Sequence, residues 1–364
     1  MTNYVYSIET AFFVFPLIAF LFTLPYVIYN YHKYGAIMIF RTLIVYSFIL
    51  YLMSVYFLVI LPLPSFERVA KMTRSFVQLI PFQFVVDFFK ESGFIWSQPG
   101  TYLKSLKDPS FYNVIFNLFM FVPFGIYLRY YFKCTFSKTL LYSFLLSLFF
   151  ELTQLSGLYG IYPRPYRLFD VDDLIINTSG GIIGYLITIF LGFLPSREKL
   201  DELSYQKGEQ VTIYRRLVAF LIDWIIVSAC NLMIRNILIT GIIYFCVLPL
   251  LTKGRTIGKR IVQIRLVSKN EIAVKWYAYF IRYGFLYGII MGTPFWIVTG
   301  FAKFYSSENF FILVLLLIAS FVLICIYVKF FFEFLRALLF SKKLFFYETI
   351  SGTKHISTVR KERL

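Results

Sequence analysis

Nine long apolar stretches dominate this sequence of 364 residues. A membrane core about 30 Å thick needs roughly 17–25 residues per helix, and each stretch is close to that range. Hydrophobic residues make up 59% of the chain, which excludes a cytosolic enzyme, a disordered chain and a disulfide-stapled secreted domain. The sequence therefore predicts an all-α polytopic integral membrane protein, with about nine transmembrane helices in two bundles. The stretches run near 9–29, 42–61, 111–129, 139–157, 173–194, 214–234, 236–252, 276–300 and 310–335.

Basic residues give the chain a net charge of +17. They stand in short clusters between the apolar stretches, which is typical of cytoplasmic loops, so no nucleic-acid partner is predicted. Five alternate segments hold 24 of the 36 Lys and Arg residues. This bias predicts an external N-terminus and a cytoplasmic C-terminus, with anionic inner-leaflet lipids against the basic loops. The five segments are 33–41, 129–138, 197–216, 253–275 and 336–363.

A polar stretch near the middle of the chain divides the apolar pattern. Residues 1–194 are predicted to form a five-helix membrane domain, 195–210 a cytosolic linker, and 211–364 a four-helix membrane domain. No internal repeat is evident, which disfavours an inverted-repeat transporter. The external segment 62–110 is rich in aromatic residues and fits either an interfacial helix or an ordered loop that caps the bundle.

Polar side chains inside a membrane are costly, and seven of them are predicted to form one external site in the first domain. Glu151 and Gln154 share a helix face at i and i+3, and Asp170, Asp173 and Asn177 share another. Gly180 and Gly184 extend the second face as a GxxxG pattern that permits close helix packing. The predicted ligand-binding residues are Asn117, Glu151, Gln154, Arg167, Asp170, Asp173 and Asn177.

A structural reading of the same residues stays open. Asp170 and Asp172 can cap a helix N-terminus, and Glu151 can pair with Arg167 as a buried ion pair.

Three blocks of this domain resemble the VanZ-like family. They are NLFMFVPFGIYL at 117–128, FELTQL at 150–155 and RLFDVDDLIINTSGGIIGY at 167–185, and the resemblance covers roughly 10–194. It implies a multi-helix membrane domain linked to resistance to teicoplanin-type lipoglycopeptides, in the envelope of a Gram-positive bacterium. It implies no particular reaction.

The second domain carries a different set of charges. Arg216 and Asp223 lie on one helix face, and Arg282 is expected at a similar depth as a partner for Asp223. Alternating apolar residues over 261–267 fit either a short strand or an interfacial segment, and a strand there could pair with the similar C-terminal tail. The Arg216–Asp223 spacing, GRTIGKR at 254–260, Arg282 and SGT at 351–353 resemble the RDD family over about 211–357. That family's usual terminal Asp stands here as Glu348, and the family is associated with ion or proton transport.

Three classes of function remain open. The first is binding of, or altered access to, a polyisoprenyl-linked cell-wall precursor by the external site, and the second is ion- or proton-coupled transport. The third is a metal-dependent lipid-modifying enzyme in which Glu151, Asp170 and Asp173 act as acid, base or cation ligands. Two His and four dispersed Cys predict no metal site and no cofactor, and the absence of a strong nucleophile disfavours an enzyme. Membrane lipids are predicted partners in every case.

Overall fold

The computed structural model is that of an all-α polytopic membrane protein. The structure describes residues 2–73, 75–271, 273–287, 298–302, 310–339 and 345–359. The helices in chain order are α1 Thr2–Tyr34, α2 Ile39–Ile60, α3 Phe66–Ala70, α4 Gln83–Glu91, α5 Tyr102–Ser105, α6 Pro109–Tyr130, α7 Phe136–Leu155, α8 Gly157–Gly160, α9 Val171–Ile187, α10 Arg197–Gly208, α11 Ile213–Ile234, α12 Ile237–Ile242, α13 Leu248–Leu251, α14 Ile257–Ile261, α15 Trp276–Tyr283, α16 Phe310–Leu339 and α17 Phe346–Ile350. The strands are β1 Val77–Gln78, β2 Phe169–Asp170, β3 Ile264–Ser268 and β4 Thr353–Ser357.

Six helical segments within the described part of the chain are long and apolar enough to cross a membrane. They overlap six of the nine predicted stretches, and they are Glu9–Tyr34, Ile39–Ile60, Pro109–Tyr130, Val171–Leu191, Ile213–Ile234 and Phe310–Leu339. The predicted stretch 139–157 forms α7, and 236–252 forms the shorter apolar helix Ile237–Leu251. The stretch 276–300 begins with α15, but 288–297 lie outside the described residues. That these three segments cross the membrane stays a prediction.

The chain divides into two compact units. Unit 1 comprises Met1–Phe22 and Ile39–Leu200, and unit 2 comprises Thr23–Met38 and Asp201–Leu364. The end of α1 therefore belongs with the C-terminal part of the chain by its packing. The polar stretch predicted as a linker folds mostly as α10, and the boundary between the units falls within that helix.

In unit 1, α9 packs against both α6 and α7. Asp108 starts α6 by accepting the backbone N–H of Ser110, and Pro109 stands at the first helical position, where a missing N–H is not needed. Pro123 lies inside α6 without ending it. A buried apolar cluster joins α6 to α2 and α7, and it consists of Val55, Phe121, Phe124, Leu128 and Phe150.

The external segment of unit 1 folds into short elements. Strand β1 pairs in parallel with β2, so that Gln78 lies opposite Asp170 at the start of α9. Helix α4 follows, and its Val85, Val86 and Phe89 side chains are exposed. The pairing holds the segment 62–110 against the loop that precedes α9. Contact of α4 with a membrane surface stays a prediction.

In unit 2, Thr212 caps α11 by accepting the backbone N–H of Arg215. Strand β3 pairs antiparallel with β4, with Ile264 opposite Ser357. The predicted pairing of this segment with the C-terminal tail is therefore confirmed. Side chains from α11 and β3 form part of a buried apolar cluster that comprises Tyr31, Ala219, Ile222, Val262 and Ile264.

Candidate functional site

An open cavity of about 640 Å³ lies in unit 1, around the N-terminal end of α9. Its walls come from the end of α2, from α4, from the N-terminal half of α6, from the end of α7, from the loop that precedes α9 and from the start of α9. All seven predicted ligand-binding residues line this cavity, and they are Asn117, Glu151, Gln154, Arg167, Asp170, Asp173 and Asn177. The structure thus brings side chains that lie up to 60 positions apart in the sequence to one place.

Asp170 has the capping role that the structural reading allowed. Its Oδ1 atom accepts the backbone N–H of Asp172 at 2.8 Å, where the dipole of α9 favours a negative charge. Gln78 donates to the same oxygen at 3.3 Å. Burial raises the pKa of Asp170, and this effect exceeds the lowering by the hydrogen bond from the Asp172 backbone. The nearby carboxylates of Asp172 and Asp87 raise the pKa further.

Asp172 has a positioning role that the sequence did not reveal. It is 3% exposed, and its two carboxylate oxygens accept the backbone N–H groups of Phe82 at 2.5 Å and Phe84 at 2.8 Å. Phe82 is the N-cap residue of α4 and Phe84 lies in its first turn, where backbone N–H donors have no partner within the helix. One side chain of α9 therefore holds the start of α4 over the cavity. The sequence did contain a hint of this role. Two acidic residues stand at 170 and 172, and only one of them can cap α9, so the other needs a different partner.

We expect Asp172→Asn to loosen α4. An amide has one acceptor oxygen, so one of the two N–H groups at the start of α4 faces an NH₂ group, at a cost of about 1–3 kcal/mol. Hydrogen exchange of the α4 peptide should accelerate roughly tenfold or more. The matched control is Asp87→Asn, because Asp87 accepts a hydrogen bond from the Gln83 side chain and anchors no backbone group in the described contacts. Equal exchange in the two variants would contradict this role of Asp172.

Glu151 and Arg167 do not form the ion pair that the structural reading allowed, within the described part of the chain. Glu151 is 2% exposed, and its Oε2 atom accepts the backbone N–H of Asp170 at 2.9 Å. Arg167 donates instead to the carbonyl oxygens of Val59 at 2.7 Å and Leu61 at 3.2 Å, at the end of α2. Gln154 also donates to the Val59 carbonyl at 3.3 Å. The arginine therefore satisfies backbone carbonyls that α2 leaves without partners.

The amide side chains of α6 and α9 complete the polar wall. Asn117 donates to Asp173 Oδ1 at 2.7 Å, and Asn177 donates to the hydroxyl of Ser147 at 2.9 Å. Asn177 is 4% exposed, and its Oδ1 atom has no donor among the described residues. Ser147 was not identified from the sequence, because a serine in an apolar helix carries no spacing signal of its own.

Gly180 and Gly184 lie where α9 meets α6. A Cβ atom on Gly180 would collide with the carbonyl oxygen of Leu118, and one on Gly184 would collide with that of Val122. The helix backbones approach as closely as the GxxxG pattern permits. This contact brings the polar residues of α9 next to Asn117 of α6.

Metal binding gains no support from this geometry. In the described parts of the chain, no group of three or more His, Cys, Asp or Glu residues is arranged to hold a metal ion. Five of the carboxylates around the cavity accept hydrogen bonds from backbone or amide donors, as capping and anchoring groups do, and they are Asp87, Glu151, Asp170, Asp172 and Asp173. The metal-dependent enzyme hypothesis therefore rests on the sequence alone.

Unit 2 contains a separate cluster of buried charges. Glu348 is fully buried and contacts Arg282 at 2.8 Å and Arg216 at 3.2 Å. His355 Nδ1 lies 3.3 Å from the Glu348 carboxylate. Burial alone would raise the pKa of Glu348, but Arg282, together with His355 and Arg216, lowers it well below its ordinary value. Burial and Arg282 lower the pKa of His355 well below its ordinary value.

Asp223 and Arg282 were expected to form an ion pair, but Asp223 has other partners in the structure. Its carboxylate accepts hydrogen bonds from the Tyr244 hydroxyl at 2.7 Å, the Thr256 hydroxyl at 2.6 Å and the Gly258 backbone at 2.7 Å. These contacts join α11 to the start of α14. The GRTIGKR segment thus supplies neutral donors to the buried Asp223 carboxylate. These donors satisfy its oxygen atoms without an arginine.

Arg215 is a buried residue that the sequence did not single out. Its guanidinium donates to the carbonyl oxygens of Val262, Gly208 and Gln263 at 2.7–2.8 Å. Adjacent helical residues point about 100° apart, so Arg215 and Arg216 serve different partners. Lys259 is also buried, and burial lowers its pKa to about 7 despite the nearby Asp223.

Comparison with known proteins gives a partial match. No curated protein and no solved structure matches the chain. A family model described as VanZ/LLP1 matches residues 48–194, which contain all seven cavity residues predicted from the sequence. Residues 48–194 of this membrane protein are therefore similar to the VanZ/LLP1 family.

Proposed function

We propose that unit 1 is a binding module of the bacterial envelope that takes the polar head of a polyisoprenyl-linked cell-wall precursor. By occupying the precursor or changing access to it, the module contributes to tolerance of teicoplanin-type glycopeptides in a Gram-positive host. The match of residues 48–194 to VanZ/LLP1 supports an envelope role related to glycopeptide resistance. The observation that carries the proposal is the cavity of about 640 Å³ with its carboxylate and amide lining.

The size and chemistry of the cavity support a large polar ligand. Pockets of about 300–1,000 Å³ hold small molecules or one portion of a larger one. Sugar and peptide groups present many hydroxyl and amide donors, and the oxygen atoms of Glu151, Asp173 and Asn177 can accept from them. The bias of basic residues supports an external cavity, with the N-terminus outside and the C-terminus in the cytoplasm. A lipid-linked ligand can then reach it from the outer leaflet.

For residues 211–364 we propose an RDD-like membrane domain. The pairing of β3 with β4 and the contacts of Arg216 and Arg282 with Glu348 support this assignment, since the resemblance rests on those segments. Glu348 fills the position of the usual terminal Asp with a longer side chain that reaches both arginines. The buried charges keep ion or proton transport as the second candidate function. Basic residues of this domain are proposed to contact anionic inner-leaflet lipids.

We expect Glu151→Gln to weaken precursor binding roughly tenfold or more. The substitution keeps the side chain's size but removes its charge, and a hydrogen bond to a charged group contributes about 1.5–3 kcal/mol. The full-length protein in nanodiscs would be titrated with a polyisoprenyl-linked disaccharide-peptide. In parallel, a deletion strain would be complemented with each variant and its susceptibility to teicoplanin measured. Deletion should raise susceptibility, and Glu151→Gln should restore tolerance less well than the wild type.

Glu67→Gln is the matched control, because Glu67 is exposed in α3 and does not line the cavity. This variant should bind the precursor and restore tolerance as the wild type does. A deletion strain with unchanged susceptibility, together with a wild-type protein that does not bind the precursor, would refute the proposed function.

A further inference from the structure

The lining of the unit 1 cavity is strongly unbalanced in charge. Its described residues include six carboxylates and one cation, Arg167. An isolated acidic cluster can be a solvated surface, but this one lines a cavity and includes the nearly inaccessible Glu151. The carboxylates are Asp87, Glu91, Glu151, Asp170, Asp172 and Asp173. A second negative group placed among them would be repelled.

The single cation is already engaged. Two guanidinium nitrogens of Arg167 donate to the Val59 and Leu61 carbonyls. Recognition of a phosphate by arginine commonly uses two parallel N–H groups of the guanidinium. Both terminal nitrogens donate to the backbone here, and the described lining offers an acidic ligand group no second cation.

Acceptor oxygens remain on three side chains around the cavity. Glu151 uses Oε2 for the Asp170 N–H, and Asp173 uses Oδ1 for Asn117, which leaves the second oxygen of each carboxylate without a donor in the described contacts. Asn177 provides an independent sign of a ligand site, because its Oδ1 atom is buried and has no described donor. A buried acceptor without a donor costs about 1–3 kcal/mol, and a ligand donor would recover that free energy.

From this geometry we infer that the ligand group seated in the cavity is a primary ammonium, bound by Glu151, Asp173 and Asn177. An ammonium has three N–H donors and no acceptor, and its charge offsets the surplus of carboxylates. The inference rests on the proposed function and makes it specific. The free amine on the stem peptide of the precursor would enter the cavity, and the diphosphate would stay outside it.

The test compares two pairs of probes on the full-length protein in phosphatidylcholine nanodiscs. The first pair is a polyisoprenyl-linked disaccharide-peptide with a free stem-peptide amine and the same molecule with that amine acetylated. The second pair is phosphatidylethanolamine and its N-acetylated form. Acetylation removes both the charge and two of the N–H donors. The Kd of the acetylated precursor should therefore be roughly 10- to 100-fold higher than that of the precursor with the free amine.

The four probes separate the inference from the proposed function. Equal binding of both precursors would overturn the inference and leave the proposed function standing. If neither precursor binds and the two phosphatidylethanolamine probes are discriminated, the result would support an ammonium site and refute the cell-wall precursor as its ligand. If neither pair is discriminated, the ammonium site is refuted.

A variant provides a second readout. Asp173→Asn removes one ammonium acceptor, so it should reduce the preference for the free amine over the acetylated form, while Glu67→Gln keeps the wild-type preference. Thermal unfolding of both variants checks that the fold is retained. An Asp173→Asn protein that is folded and still prefers the free amine to the full extent would exclude Asp173 from the site.

Discussion

Gly125→Ala should destabilise unit 1 by about 3 kcal/mol, although alanine favours a helix more than glycine does. A Cβ atom at this position in α6 would collide with the carbonyl oxygen of Gly181 in α9. The clash is with backbone, so no rotamer change relieves it and the two helices must separate. Local helix propensity would instead predict a gain of about 1 kcal/mol, so the sign of the change isolates the contact between the helices.

The measurement is thermal unfolding of the full chain in mild detergent. A loss of about 3 kcal/mol should lower Tm by roughly 6–12 °C for a unit of this size. Gly192→Ala is the matched control, because a Cβ atom there meets nothing within 4 Å. The close contact would be refuted if Gly125→Ala unfolded at the same temperature as that control. Gly125→Ala should also bind the precursor more weakly than Gly192→Ala, because the contact between α6 and α9 positions Asn117 beside Asp173.

The positions of the helices could be predicted from the sequence because a bilayer imposes a minimum apolar length on each span. The same argument cannot show which helices pack together. Residues 23–38 continue the first apolar helix, yet they pack with the C-terminal part of the chain in unit 2. Hydropathy contains no information on such pairing, and the assignment of 1–194 and 211–364 to two domains stays a prediction.

The composition of the candidate site was also predictable, whereas its contacts were not. Ionisable residues are rare in apolar helices, so Glu151 and Asp173 stood out, and helical spacing gave the faces they occupy. Spacing does not give rotamers or the path of loops. Two contacts could not be predicted for this reason. Arg167 donates to the carbonyls at the end of α2, and Asp172 accepts backbone N–H groups at the start of α4, 88 and 90 positions away in the sequence. Such partners depend on how loops return to the site.

In unit 2, Glu348→Gln should cost about 3–5 kcal/mol at neutral pH. The substitution leaves Arg282 and Arg216 without their shared carboxylate, and Arg282 is 2% exposed. Removing one partner of a buried ion pair leaves an uncompensated charge, which costs more than the pair itself contributes. Hydrogen exchange in β4 and α17 should accelerate together, because Glu348 joins the Phe345 backbone to Arg282, which in turn donates to Thr353.

Glu271→Gln is the matched control. Glu271 forms an ion pair with Lys354 at 3.0 Å, but its side chain is 66% exposed, so its removal should cost at most about 1 kcal/mol. Equal effects of the two substitutions would contradict the buried role of Glu348.

The effect of Glu348→Gln should depend on pH with a definite sign. The folded protein holds the pKa of Glu348 well below the ordinary value of 4.5, so the ionised carboxylate stabilises the folded state. That contribution is complete above the unfolded pKa and is lost as pH falls below 4.5 towards the folded pKa. The difference in stability between wild type and Glu348→Gln should therefore be constant near neutral pH and shrink in acid. A difference that grew as pH fell would mean that the carboxylate is protonated in the folded protein, and the two arginines would then need another counter-charge.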